Sequence, residues 1–177
     1  MEVKSPTVPS YNLQSIALNN YETLVNNQNL SDFKFICSDG KEIFAHKCIL
    51  VSFSNKPSED EQNSSNFFRT MLESNMRESK DNCMQVSDID SKTMLELMRF
   101  VYCEKIRCIE TNDLIPLMFA ADKYDIVVLR SACIEIMHNN LSVDNVVEIL
   151  TVADTLDSLK SLKENCIDFI KLWVLIS

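Results

Sequence analysis

The residues of this 177-residue chain that could do acid–base or nucleophilic chemistry are two imidazoles, His46 and His138, and seven thiols at Cys37, Cys48, Cys83, Cys103, Cys108, Cys133 and Cys166. A serine or cysteine nucleophile needs a base beside it, and the GxSxG elbow that often presents such a pair is absent. Gly40 is the single glycine, so neither a dinucleotide fingerprint nor a P-loop can be built, because both need several residues without a Cβ to let backbone approach phosphate. No CxxC pair occurs, and Cys103 and Cys108 lack a second Cys or His pair at finger spacing, so no zinc site is expected. His138 falls at a predicted helix end, where a cation favours the helix dipole, and reads as a cap. The expectation is a protein that is not an enzyme, with no catalytic residue, cofactor or metal.

Charge and composition narrow the partners. Lys and Arg number 17 against 26 Asp and Glu, a net charge of −9, so a phosphate-binding surface would work against the overall field and nucleic acid is not expected. Apolar residues at 46% and charged residues at 24% suit one core with a helical extension, given roughly 150 residues per domain. The cysteines are odd in number and mostly lie within apolar patterns, which reads as buried, reduced thiols of an intracellular protein, nuclear or cytoplasmic. The opening MEVKSPTVPS lacks a signal peptide's apolar stretch, and no run approaches the roughly 18 apolar residues of a span, so no membrane partner is expected.

Periodicity gives the elements that must position these groups. Residues 1–10, with Pro6 and Pro9 among serine and threonine, read as a loose tail. Leu13, Ile16, Ala17, Tyr21, Leu24 and Val25 recur at helical spacing and predict an amphipathic helix over 11–26 whose stripe needs a partner. Phe33 to Cys37 and Glu42 to Ala45 are short aromatic and β-branched runs joined through Asp39-Gly40, a hairpin signal. His46 to Phe53 predicts a short buried helix. The polar run 55–65, containing Pro57 and no apolar residue, reads as a solvated loop or a docking segment. Phe67 to Glu73 is helical in pattern, and Cys83 to Val86 suits a third strand.

Helices dominate thereafter. Asp90 can cap a helix carrying Met94, Leu97, Met98, Val101 and Tyr102 on one face. Two more follow over 114–123 and 125–140, with Pro116 early in the first, where its missing N–H implies a later start or a kink. Ser142 is placed to cap a helix bearing Val143, Val146, Val147 and Leu150, and a last helix aligns Leu159, Leu162, Cys166, Phe169 and Ile170. Leu172 to Ile176 are all apolar, so either Trp173 folds back on the helices or further chain covers the segment. The class is α+β: a small sheet with a hairpin, enclosed by helices and followed by a short helical extension.

The order of these elements and several short strings resemble a BTB/POZ domain of the speckle-type POZ branch, over about Tyr11 to Leu172. The strings are Leu30-Ser31-Asp32-Phe33, Phe44-Ala45-His46-Lys47 leading into Leu50, FRTMLES from Phe68, VSDI from Val86, and Ala120-Ala121-Asp122-Lys123-Tyr124. The stretch NNLSVDNVVEILTVAD is similar to the opening of the BACK-type extension, or 3-box, that follows such domains. This division gives a tail over 1–10, a BTB/POZ domain over 11–140 with 55–65 inserted, and a partial BACK/3-box extension over 141–177.

The resemblance implies a homodimer in which Leu13, Ala17, Tyr21 and Leu24 meet a second copy across a two-fold interface, although packing of the stripe on the chain's own core is the alternative. It implies that Asp32 and His46 lie together as buried, structural polar groups. It also implies binding of a cullin scaffold through the triplet Met76-Arg77-Glu78, which as an isolated pattern is an ordinary surface turn. The function so implied is an adaptor that links a cullin-RING ubiquitin ligase to a substrate protein the sequence does not name. The alternative is a homotypic or heterotypic assembly module that pairs with full-length relatives carrying a MATH domain. Speckle-type proteins usually have such a domain at the amino end, and ten loose residues cannot supply it.

Overall fold

Phe33–Ile36 (β1) and Glu42–Ala45 (β2) form the hairpin, in the antiparallel register Phe33↔Ala45 and Phe35↔Ile43. Alternation along the pleat sends these four residues into the core, while Lys34 and Glu42 pair across the outer face at 2.6 Å. Gly40 closes the connection at φ 76°, a backbone region that costs an L-residue roughly 1–2 kcal/mol. The computed structural model describes residues 20–54, 66–74, 77–108, 110–155 and 159–176, with only the backbone of Arg77 and Ser79. The tail over 1–10 and the 55–65 run lie outside the described residues, as does most of the predicted first helix.

Cys83–Gln85 (β3) lies parallel to β1, giving the order β2-β1-β3. Parallel neighbours cannot be joined by a tight turn. Here the crossover contains β2 and three helices, Lys47–Ser54 (α1), Phe67–Glu73 (α2) and Arg77–Asp81 (α3). The predicted strand shortens by one residue, although the Val86 N–H still reaches the Ile36 carbonyl at 2.8 Å.

Ser91–Cys103 (α4) begins as the sequence indicates, with Asp90 Oδ1 accepting the Thr93 N–H at 2.8 Å. Met94, Leu97, Met98, Val101 and Tyr102 are all buried. Thr111–Lys123 (α5) starts three residues before the expected Leu114, and Pro116 sits inside it. Only the bond to the Asn112 carbonyl is forfeited, and the burial of Leu114, Leu117, Met118 and Ala121 outweighs that loss. A tight turn through Asp125, at φ 55°, leads into Val127–Asn139 (α6).

The predicted Ser142 cap is corrected. The helix there, Val146–Ala153 (α7), starts later, because residues 143–145 first make a turn. Asn145 braces the turn, accepting the Ser142 N–H at 2.8 Å and donating to the Asn140 carbonyl at 2.9 Å. Lys160–Ile176 (α8) buries Leu162 and Cys166, and Leu172 to Ile176 remain exposed. The end of the predicted first helix is also corrected: among the described residues the helix covers 20–22, and turns follow as far as Asn26, at φ 52°.

Four thiols, Cys37, Cys103, Cys133 and Cys166, are buried; Cys83 and Cys108 are half-buried. Cys48 is exposed, against expectation, because α1 turns Leu50 and Ser54 inward instead. Desolvation pushes the Cys133 thiol up to about 12 and those of Cys37 and Cys108 to about 11, which suppresses the reactive thiolate.

The hairpin turn is tied to α4 by Asp39, whose Oδ2 accepts the Ser91 hydroxyl at 2.7 Å and lies 3.2 Å from Lys41 Nζ. The Ser91 bond, followed by the contacts from Lys41, lowers the carboxyl from its ordinary 3.8 to about 2. A depressed carboxyl stabilises the fold above its unfolded value and loses that contribution as pH falls through its folded value. Asp39→Asn is therefore expected to unfold at lower urea than the wild type at pH 5–7. The gap should close between about pH 4 and pH 2, as read from urea melts across that range.

Candidate functional site

His46 occupies the joint between β2 and α1, and only 6% of its surface is exposed. Its backbone N–H donates to Tyr102 Oη at 2.8 Å, its Nδ1 lies 3.0 Å from the same hydroxyl, and its Nε2 lies 3.2 Å from the Asn29 carbonyl. A carbonyl can only accept, so the ring proton belongs on Nε2. Nδ1 then accepts from the Tyr102 hydroxyl. One phenol thus satisfies both a backbone donor and a ring acceptor, and burial raises its own pKa far above the ordinary tyrosine range. The site is a structural lock with no spare acid or base.

Asp32 is not part of it. The expected buried pair is corrected: Asp32 is exposed, and its Oδ1 accepts the Lys47 N–H at 2.7 Å at the first turn of α1. A carboxylate that caps a helix end has no need of an imidazole, and it stays in water where its charge is cheap. Lys47 extends the tie to β3 through Asn82 Oδ1.

The four residues of the expected dimer stripe part company. Leu13 and Ala17 lie outside the described residues, Tyr21 is 47% exposed, and Leu24 is half-buried against the chain's own core. Behind Tyr21, Glu22 holds Lys105 at 2.9 Å and also pairs with Arg107, fixing this segment to the loop after α4.

Of the triplet, Met76 lies outside the described residues, while Glu78 stands half-buried in the first turn of α3. It borders a cleft of about 410 Å³ lined also by Phe67, Thr70, Met71, Met84 and Asp125. Stacked rings back the cleft: Phe67 packs edge-on to Tyr124 at 4.9 Å, and Phe68 stacks on Tyr124 at 5.6 Å. Sequence reading missed Phe67, Met71 and Met84 as members of this surface. The signal available was FFRTMLES from Phe67, whose helical period separates an inward Phe68 from a Phe67 left at the rim.

Replacing Tyr102 with Phe leaves the buried His46 N–H and Nδ1 without a partner, so a loss of about 1–3 kcal/mol is expected in urea denaturation. Asp32→Asn keeps an acceptor for the Lys47 N–H and should cost about 0.5 kcal/mol or less.

Comparison with known proteins places this geometry. Residues 62–141 match the family model of the BTB/POZ domain. Among solved structures, the BTB (Tramtrack and Bric a brac) domain of human gigaxonin aligns with 76% of this chain and 98% of its own, at a TM-score of 0.53 and 20% identity. At that identity the likeness concerns the fold, which in this chain is a three-stranded sheet among helices. The chain therefore has the BTB fold, and residues 62–141 are similar to a BTB/POZ domain.

Proposed function

We propose that the protein is a non-enzymatic, homodimerising adaptor that couples a cullin-RING ubiquitin ligase to other proteins, resembling the speckle-type POZ branch. The observation that carries this reading is Glu78, half-buried beside an apolar cleft formed by Phe67, Met71 and Met84 and two residues after Met76. A flexible methionine fills irregular apolar pockets on a partner, and a carboxylate next to it accepts charge-assisted bonds that fix register. The packed pair α7 and α8 supports the reading of 141–177 as the start of a BACK-type extension. Dimerisation would use the exposed side of the first helix, where Tyr21 stands free of the core.

Calorimetry with a purified cullin amino-terminal domain tests the adaptor reading. Met76→Asp should abolish binding, and Glu78→Ala should weaken it by about 1–3 kcal/mol without lowering the melting temperature. Wild-type protein that fails to bind near 100 μM would leave the assembly-module reading in its place.

The dimer is tested by light scattering at micromolar concentration. Ala17→Asp combined with Tyr21→Asp should convert a dimer to a monomer, because unpaired carboxylates in an apolar interface oppose association. Leu24 is unsuitable for this purpose, since it also packs on the core.

A further inference from the structure

On the far side of α4 from the first segment, a cleft of about 820 Å³ opens between α5 and the loop that leads into α4. Its wall on α5 is apolar, made by Ile115, Pro116 and Phe119, and Phe119 is left 41% exposed. The opposite rim carries Asp88 and Asp90. Asp88 is drawn to Lys123, whose ammonium holds the carboxyl below the usual carboxylate range, and Asp90 uses one oxygen to cap α4. Two carboxylates against one ammonium leave the cleft with an excess negative charge.

We propose that this cleft is a docking site for an extended segment of another protein in which aliphatic side chains alternate with lysine or arginine. Aliphatic groups cover Phe119, Ile115 and the Pro116 ring, removing exposed apolar surface from water. A cation joins Asp88 and Asp90 and completes the charge balance. A nucleic acid would meet like charge at the same rim, and an acidic peptide would do the same. The site is separate from the Glu78 surface, so the proposal stands or falls independently of cullin binding.

Fluorescence anisotropy decides it, using fluorescein-labelled Ala-Leu-Lys-Leu-Arg-Ala as the probe on the full chain. The probe should bind, and raising the salt from 50 to 500 mM should weaken it severalfold. A counterpart with Glu in place of Lys and Arg should bind at least about tenfold more weakly, as should one with Ser in place of Leu. Phe119→Ser should lower affinity by about tenfold and Asp88→Asn by about threefold, with cullin binding unchanged; both side chains are on the surface, and Asp88→Asn carries the test alone if Phe119→Ser does not fold. Equal binding of the acidic counterpart, unchanged binding in both variants, or no binding of the probe up to about 1 mM overturns the proposal. A change of oligomeric state in Phe119→Ser also overturns it, by showing that a second copy covers the face.

Discussion

Parallel pairing of β3 with β1 is the constraint on which the other features depend. It forbids a short connection between them, so the chain from Cys37 to Asn82 must leave the sheet, make β2, pass through α1 to α3 and return on the opposite edge of β1. β1 becomes the central strand, and its Phe33 and Phe35 are the first layer of the core. The excursion has to be pinned where it starts and where it ends. Tyr102 does the first by gripping His46, and Lys47 does the second by reaching Asn82 beside β3. α3 and β3 then deliver Glu78 and Met84 to one cleft, which is why the proposed partner surface is a product of the crossover.

The charge distribution acts on top of this frame. An acidic chain keeps its cations in short-range pairs: Lys105 and Arg107 on Glu22, Lys123 on Asp88, Lys92 on Asp113 and Arg130 on Asp122. Exposed pairs of this kind contribute little to stability individually. Each pair cancels one charge of either sign, so the net charge of −9 is carried by carboxylates in excess of the cations. Apolar groups are distributed differently. They are withdrawn almost completely from the sheet and α4 but persist on the outside of α5 at Phe119 and along the end of α8.

The sequence by itself determined what depends on local chemistry. Period-two alternation with Asp39-Gly40 determined the hairpin, Asp90 determined where α4 begins, and the spacing of Met94, Leu97, Met98, Val101 and Tyr102 determined which face it buries. The acidic balance and the presence of a single glycine were properties of the composition itself. Tertiary structure decided the rest, because it depended on groups far apart in the chain. Tyr102 took the place expected for Asp32 beside His46, fifty-six residues away, since a buried imidazole can be satisfied by any hydroxyl the fold brings near and sequence spacing does not reveal which. Pro116 sat within α5 because packing along the whole helix outweighed one missing bond. Cys48 faced water because the rotation of a helix of eight residues is set by its neighbours, and Phe67, Met71 and Met84 became one surface only when the crossover closed.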